Sequence, residues 1–83
     1  MAEQTKLYGT SWCPHTSRSR AILDRQDVAY MWLDIEKDAG ACAFVEKTNR
    51  GLRSVPTIVF PDGSILVEPA DVILIQKCRD LKK

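Results

Sequence analysis

Apolar and polar positions fall into alternating blocks along the chain, and the blocks change period. Lys6–Thr10 (KLYGT) is short and apolar at its centre, as a first strand would be. Pro14 follows Cys13, and proline is favoured in the first turn of a helix, where its missing N–H costs nothing. A helix is therefore expected to begin beside Cys13 and to run through HTSRSRAILDRQD, with Ala21, Ile22 and Leu23 on its apolar side. The run VAYMWLDI, Val28 to Ile35, has the length and the branched and aromatic content of a mostly buried second strand. Asp38 is placed to cap a helix over AGACAFVEKTN, and Gly51 to end it in the left-handed conformation.

In RSVPTIVFPDGSILVEP two branched runs flank Pro61, Asp62 and Gly63, which predicts a hairpin. The last segment, EPADVILIQKCRDLKK, puts Pro69 at a first helical position and Asp71 in the first turn. Its terminal lysines oppose the dipole at the other end. The order strand, helix, strand, helix, strand, strand, helix requires a parallel crossover followed by a hairpin. An α/β fold with a mixed four-stranded sheet and packed helices is expected.

Composition narrows the function. A chain of 83 residues has room for one domain, 1–83, near the size where a single core becomes marginal. A net charge of +1 with scattered basic residues gives no footprint for nucleic acid. No stretch approaches the roughly 18 apolar residues of a membrane span, and the N-terminus lacks the pattern of a signal peptide. A cytoplasmic protein is expected. Three cysteines without framework spacing, Cys13, Cys42 and Cys78, argue against a disulfide-stapled module and for a working thiol.

Cys13 is the candidate. At a helix N-terminus a thiolate meets unpaired N–H groups and the positive end of the dipole, so its pKa falls. His15 lies in the same turn and, if protonated, adds to this effect. Thr16 offers a hydroxyl to the sulfur but no second thiol. Cys42, between alanines near Phe44 and Val45, and Cys78, in register with Leu74 and Leu81, read as packing positions. Trp12 is placed to flank the thiol groove, while Trp32 reads as core. Cys13 and His15 alone supply too few ligands for a structural zinc.

The pieces TSWCPHT, DIEKD and RSVPTIVFPDGSIL together resemble the glutaredoxin family, and within it the mycoredoxins of actinobacteria, over nearly the whole chain. The resemblance implies a thioredoxin-like fold, a four-stranded sheet flanked by three helices. It also implies a redox-active centre in a thiol-disulfide oxidoreductase serving cell redox homeostasis. The Val55–Pro56 bond is implied to be cis and to face Cys13; from the residues alone, a trans proline starting an edge strand is equally open. The Val55 backbone would then pair with an extended, peptide-like thiol.

With Thr16 in the fourth motif position, a monothiol mechanism is expected, the threonine being either native or a replacement of a resolving cysteine. No tightly bound cofactor is implied; mycothiol, or else glutathione, is the co-substrate, and thiol-modified proteins are the clients of a monomer. Glutathione-specific members carry a lysine shortly before the cysteine and a Gly-Gly pair before the last helix, and this chain has neither. Catalytic roles fall to Cys13, Thr16 and His15. Substrate contacts fall to Trp12, Pro14, Arg53, Val55, Pro56 and Asp71, although Arg53 also reads as a solvated loop charge and Asp71 as a helix-start residue. An alternative is an iron-sulfur cluster held between two chains by Cys13 and an external thiol, but Pro14 and His15 stand where cluster-binding relatives have Gly-Phe. A redoxin fed by a reductase normally needs two cysteines, which Thr16 disfavours.

Overall fold

A computed structural model describes residues 4–81. Its elements are β1 (Thr5–Gly9), α1 (Pro14–Arg25), β2 (Tyr30–Asp34), α2 (Ala39–Thr48), β3 (Thr57–Val59), β4 (Ile65–Val67) and α3 (Asp71–Leu81). The strands lie in the order β2-β1-β3-β4. β2 runs parallel to β1 with Leu7 opposite Trp32, and β3 runs antiparallel to both β1 and β4. This is the expected mixed sheet.

Because side chains alternate along a strand, β1 feeds two cores. Leu7 joins Ile22 and Leu23 of α1, Ile58 and Phe60 of the hairpin, and Leu74 and Cys78 of α3 on one face. Tyr8 joins Ile35 and the α2 residues Ala41 and Val45 on the other, and its ring stacks on Phe44 at 4.7 Å between centroids. Both faces of the sheet are thus covered, and the central strand is held from both sides.

The helix ends follow the local chemistry. Asp38 accepts a hydrogen bond from the Ala41 amide at 3.0 Å, as its capping position predicts. Beyond α2 the chain turns through Arg50 and Gly51, both at positive φ, and the Gly51 amide donates back to the Glu46 carbonyl. Asp27 turns the chain at the end of α1 in the same way, the Val28 amide donating to Leu23 O at 2.9 Å. Gly63, at φ 89°, closes the hairpin.

Four expectations need correction. β2 lies at a sheet edge, so it is only half-buried, and Met31 is exposed. Trp32 is correspondingly half-buried, with the Arg20 guanidinium 4.2 Å over its ring. Ala21 is exposed; the buried face of α1 is Thr16, Ser19, Ile22 and Leu23. Pro69 lies outside α3, which starts at Asp71. The dipole role given to the terminal lysines falls on Lys82 and Lys83, outside the described residues, and Arg79 is the basic residue in the last described turn.

Candidate active site

The site grows from the junction of β1 and α1. After Gly9 the chain makes a tight turn, with the Cys13 amide donating to the Thr10 carbonyl at 3.3 Å, and Cys13 becomes the N-cap of α1 in extended conformation. An N-cap side chain normally accepts from the free amides of the first turn. Here the side chain at that position is a thiol, which makes no capping hydrogen bond of its own.

Cys13 is 8% exposed. That burial pushes the thiol up. The amide of Thr16, the hydroxyl of Thr16 and the amide of His15 pull it down further, while the Glu68 carboxylate opposes them, and the net result lies below an ordinary cysteine. His15 contributes through its backbone; its side chain is exposed and lines a cavity toward α3. The Thr16 hydroxyl is buried and has no hydrogen-bond partner. An ionised sulfur is the acceptor this orphan donor lacks.

Gly9 makes this contact possible. A Cβ placed on Gly9 would lie 2.5 Å from Thr16 Cγ2 and 2.7 Å from Thr16 Oγ1, so only glycine lets the first turn of α1 sit so close to β1. The Val55–Pro56 bond is cis. Pro56 is buried, and its carbonyl accepts from the Glu68 amide at 2.9 Å, which ties the proline turn to the end of β4.

Two cavities each bring some of the candidate residues together. One, of about 210 Å³, is bounded by Thr10, Trp12, Ile35, Glu36, Arg53 and Val55. The exposed Trp12 ring is pinned there by its Nε1 donating to Glu36 Oε1 at 2.9 Å. Arg53 is held by Glu46 at 3.3 Å. The Thr10 hydroxyl is buried without a partner. The second cavity, of about 430 Å³, runs between α1 and α3 past His15, Arg18, Glu68 and Asp71. Arg53 and Asp71 therefore belong to different cavities.

Sequence reasoning passed over Gly9, Thr10, Glu36 and Glu68. A glycine ending a strand just before a helix start was a readable sign of close backbone approach; the other three are exposed or loop polar residues with no local signal. Cys42 sits half-buried beside the α2 core with its thiol 3.8 Å from Glu46 Oε1, and Cys78 is fully buried. Among the described residues no group of three His, Cys, Asp or Glu side chains could hold a metal ion, and no helix is long and apolar enough to cross a membrane.

The glutaredoxin family model matches residues 5–65. The chain is 42% identical over 64 residues to "Putative glutaredoxin Rv3198A" of Mycobacterium tuberculosis, covering 77% of this chain and 76% of that protein. It is 33% identical over 75 residues to Mycoredoxin 1 of Corynebacterium glutamicum, covering 90% and 92%. Among solved structures, the thioredoxin-like protein BC3987 superposes with a TM-score of 0.74 at 25% identity, covering 90% of this chain and 99% of that one. The fold is thioredoxin-like, and the chain belongs to the glutaredoxin family of thiol-disulfide oxidoreductases.

Proposed function

Given that membership, we propose that the protein removes low-molecular-weight thiols from client proteins in the cytoplasm by a one-cysteine cycle, as a single domain and a monomer, with mycothiol preferred over glutathione. The observation that carries this reading is the cap of α1: a sulfur with lowered pKa whose neighbour at the fourth motif position is a hydroxyl, not a thiol. In the first step the Cys13 thiolate attacks the small-thiol sulfur of a mixed disulfide. A new S–S bond joins Cys13 to the small thiol, and the protein thiolate leaves and takes a proton. In the second step the thiolate of another small thiol attacks the same small-thiol sulfur, giving a small-thiol disulfide and regenerating the Cys13 thiolate. Per turnover one free small thiol is consumed, the client's thiol is released, and the two small-thiol sulfurs leave joined as a disulfide; no second enzyme thiol takes part.

Thr16 supports the leaving and attacking sulfur through its hydroxyl and amide, and His15 through its amide. Trp12, Pro14, Arg53, Val55, Pro56 and Asp71 are the surfaces a small thiol would touch in this reading, Trp12, Arg53 and Val55 from one cavity and Asp71 from the other. Preference for mycothiol rests on the actinobacterial relatives and on the lack of a lysine just before Cys13. Mass spectrometry after mixing with oxidised mycothiol or oxidised glutathione tests the reading. A persistent single adduct on Cys13, released by free small thiol and formed faster from mycothiol, is the expected result. Absence of any adduct, or an internal disulfide from Cys13 to Cys42 or Cys78, would overturn it.

A further inference from the structure

Three described non-glycine residues have positive φ: Asp27, Arg50 and Glu68. The first two end helices, where one left-handed residue is the ordinary way to satisfy the last carbonyls. Glu68 ends no helix. It follows β4, at φ 47°, and directly precedes Pro69, a neighbour that favours extended backbone. A glycine would take this conformation without strain, so a charged residue held there calls for an explanation outside the backbone.

The position supplies one. The Glu68 amide donates to the Pro56 carbonyl at 2.9 Å, one residue beyond the pairing of Val67 with Thr57, so the residue is anchored where the sheet meets the proline turn. Its left-handed backbone then turns the chain away from the sheet, and Glu68 lines the cavity that begins at His15, two residues from the reactive sulfur. Among the described residues no ion pair neutralises it: the salt bridges are Arg53 with Glu46 and Lys77 with Asp62. The carboxylate is exposed to an approaching ligand and its charge is felt at Cys13. Arg18 and His15 line the same cavity from α1, so the wall carries both signs, and Glu68 is the charge tied to the proline turn.

We propose that Glu68 is a specificity-determining residue, a negative charge on the cavity that begins at His15 in the first turn of α1, which disfavours thiols carrying a carboxylate near their sulfur and favours neutral or cationic ones. The inference rests on the exchange reaction proposed above and narrows its substrate class. It accords with a neutral glycosylated thiol over an anionic tripeptide.

The test uses three disulfides that differ in charge: oxidised glutathione, 2-hydroxyethyl disulfide and cystamine. Rates of adduct formation on Cys13 are measured at one pH, in low and in high salt, for the parent chain, Glu68→Gln and Glu68→Gly. Intrinsic reactivities of the reagents cancel when the cystamine-to-glutathione rate ratio is compared between proteins. So does any common change in Cys13 ionisation. In low salt the ratio is expected to fall about three- to tenfold in both variants, the size of a single-charge interaction across partly hydrated space. High salt should compress the ratio in the parent more than in the variants. Glu68→Gly relieves the left-handed strain, so a fold defect in Glu68→Gln cannot decide the outcome. An unchanged ratio in folded variants overturns the inference and leaves the exchange reading standing. No adduct from any reagent overturns both.

Discussion

A methyl group added at Gly9 would strike the side chain that supports the reactive sulfur. Its Cβ would come within 2.5 Å of Thr16 Cγ2, 2.7 Å of Thr16 Oγ1 and 3.2 Å of Thr16 Cβ, well inside the carbon contact distance of about 3.5–4.0 Å. Neither side can easily give. Gly9 belongs to the strand paired on both sides by β2 and β3, and Thr16 is 1% exposed in the first turn of α1. Rotation about χ1 moves one γ atom away while carrying the other in, so the start of α1 must lift from the sheet. Overpacking of this kind costs about 1–3 kcal/mol, and each kcal/mol lowers Tm by about 4–8 °C in a domain of this size. The lift also carries the Thr16 hydroxyl and amide from the sulfur, so the thiol should titrate closer to a free cysteine at about 8.5. Thermal unfolding and the pH dependence of iodoacetamide alkylation, run on Gly9→Ala, Thr16→Ala and the double variant, separate the two effects. Of those three contacts only the one at 3.2 Å persists without γ atoms at position 16, so the double variant should be more stable than Gly9→Ala by about 1 kcal/mol or more. Its thiol should stay raised, because the hydroxyl is gone. A Gly9→Ala protein with unchanged Tm and alkylation midpoint would refute the reasoning.

The parent Cys13 should alkylate with a midpoint below about 8.5. Because its folded pKa is depressed, the thiolate's stabilisation is full above the unfolded value and is lost as pH falls through the folded one; chemical denaturation of the parent against Cys13→Ser over that window checks the sign. Cys13→Ser should abolish exchange, and Cys42→Ala should keep most of it in a turnover assay, since Cys42 lies with the α2 core. Loss of turnover in a folded Cys42→Ala protein would demand a second redox thiol. Thr16→Cys should shorten the life of the Cys13 adduct by forming an internal disulfide across one helical turn, seen as a mass loss of the small thiol. Asp62 is held well below the usual carboxylate range by Lys77 and Ser64. Its contribution is therefore present above about pH 3.9 and lost on acidification below it, and Asp62→Asn should flatten the parent's loss of Tm there.

What the residue pattern revealed and what it concealed divide along one physical line. Local signals were legible: Pro14 and Asp38 at helix starts, Gly51 at a helix end, Pro61 to Gly63 at the hairpin, and an apolar centre in β1. Each of these depends on neighbours within a few residues. The misplaced features depend on where distant elements come to rest. Whether β2 is central or at the edge is decided by the pairing of β1 with β3, which VAYMWLDI does not encode, so a run expected to be mostly buried is half-buried and has Met31 at the surface. Cys13 was legible because a cap is local. The carboxylate that answers it, Glu68, arrives 55 residues later through a turn whose left-handed backbone has no signature in VEPADV.

Two opposed influences on one sulfur bear on how a single thiol could serve both halves of the proposed one-cysteine cycle. In the first half Cys13 is the nucleophile, and a thiolate loses nucleophilicity as its pKa falls; in the second half Cys13 is the leaving group, and a lower pKa speeds departure. A site built only to lower the pKa would favour the second step at the expense of the first. Thr16, pressed against Gly9, and the His15 amide stabilise the thiolate, whereas Glu68 and burial work against it. The net shift remains downward, which keeps the sulfur ionised, and the opposing charge limits how far nucleophilicity is lost. A dithiol site need not meet this compromise, because a second cysteine expels the adduct from a neighbouring position. In the proposed cycle, with threonine at position 16, the compromise falls on Cys13 alone, and the carboxylate that opposes its ionisation, Glu68, is the same one proposed to screen the charge of the incoming thiol.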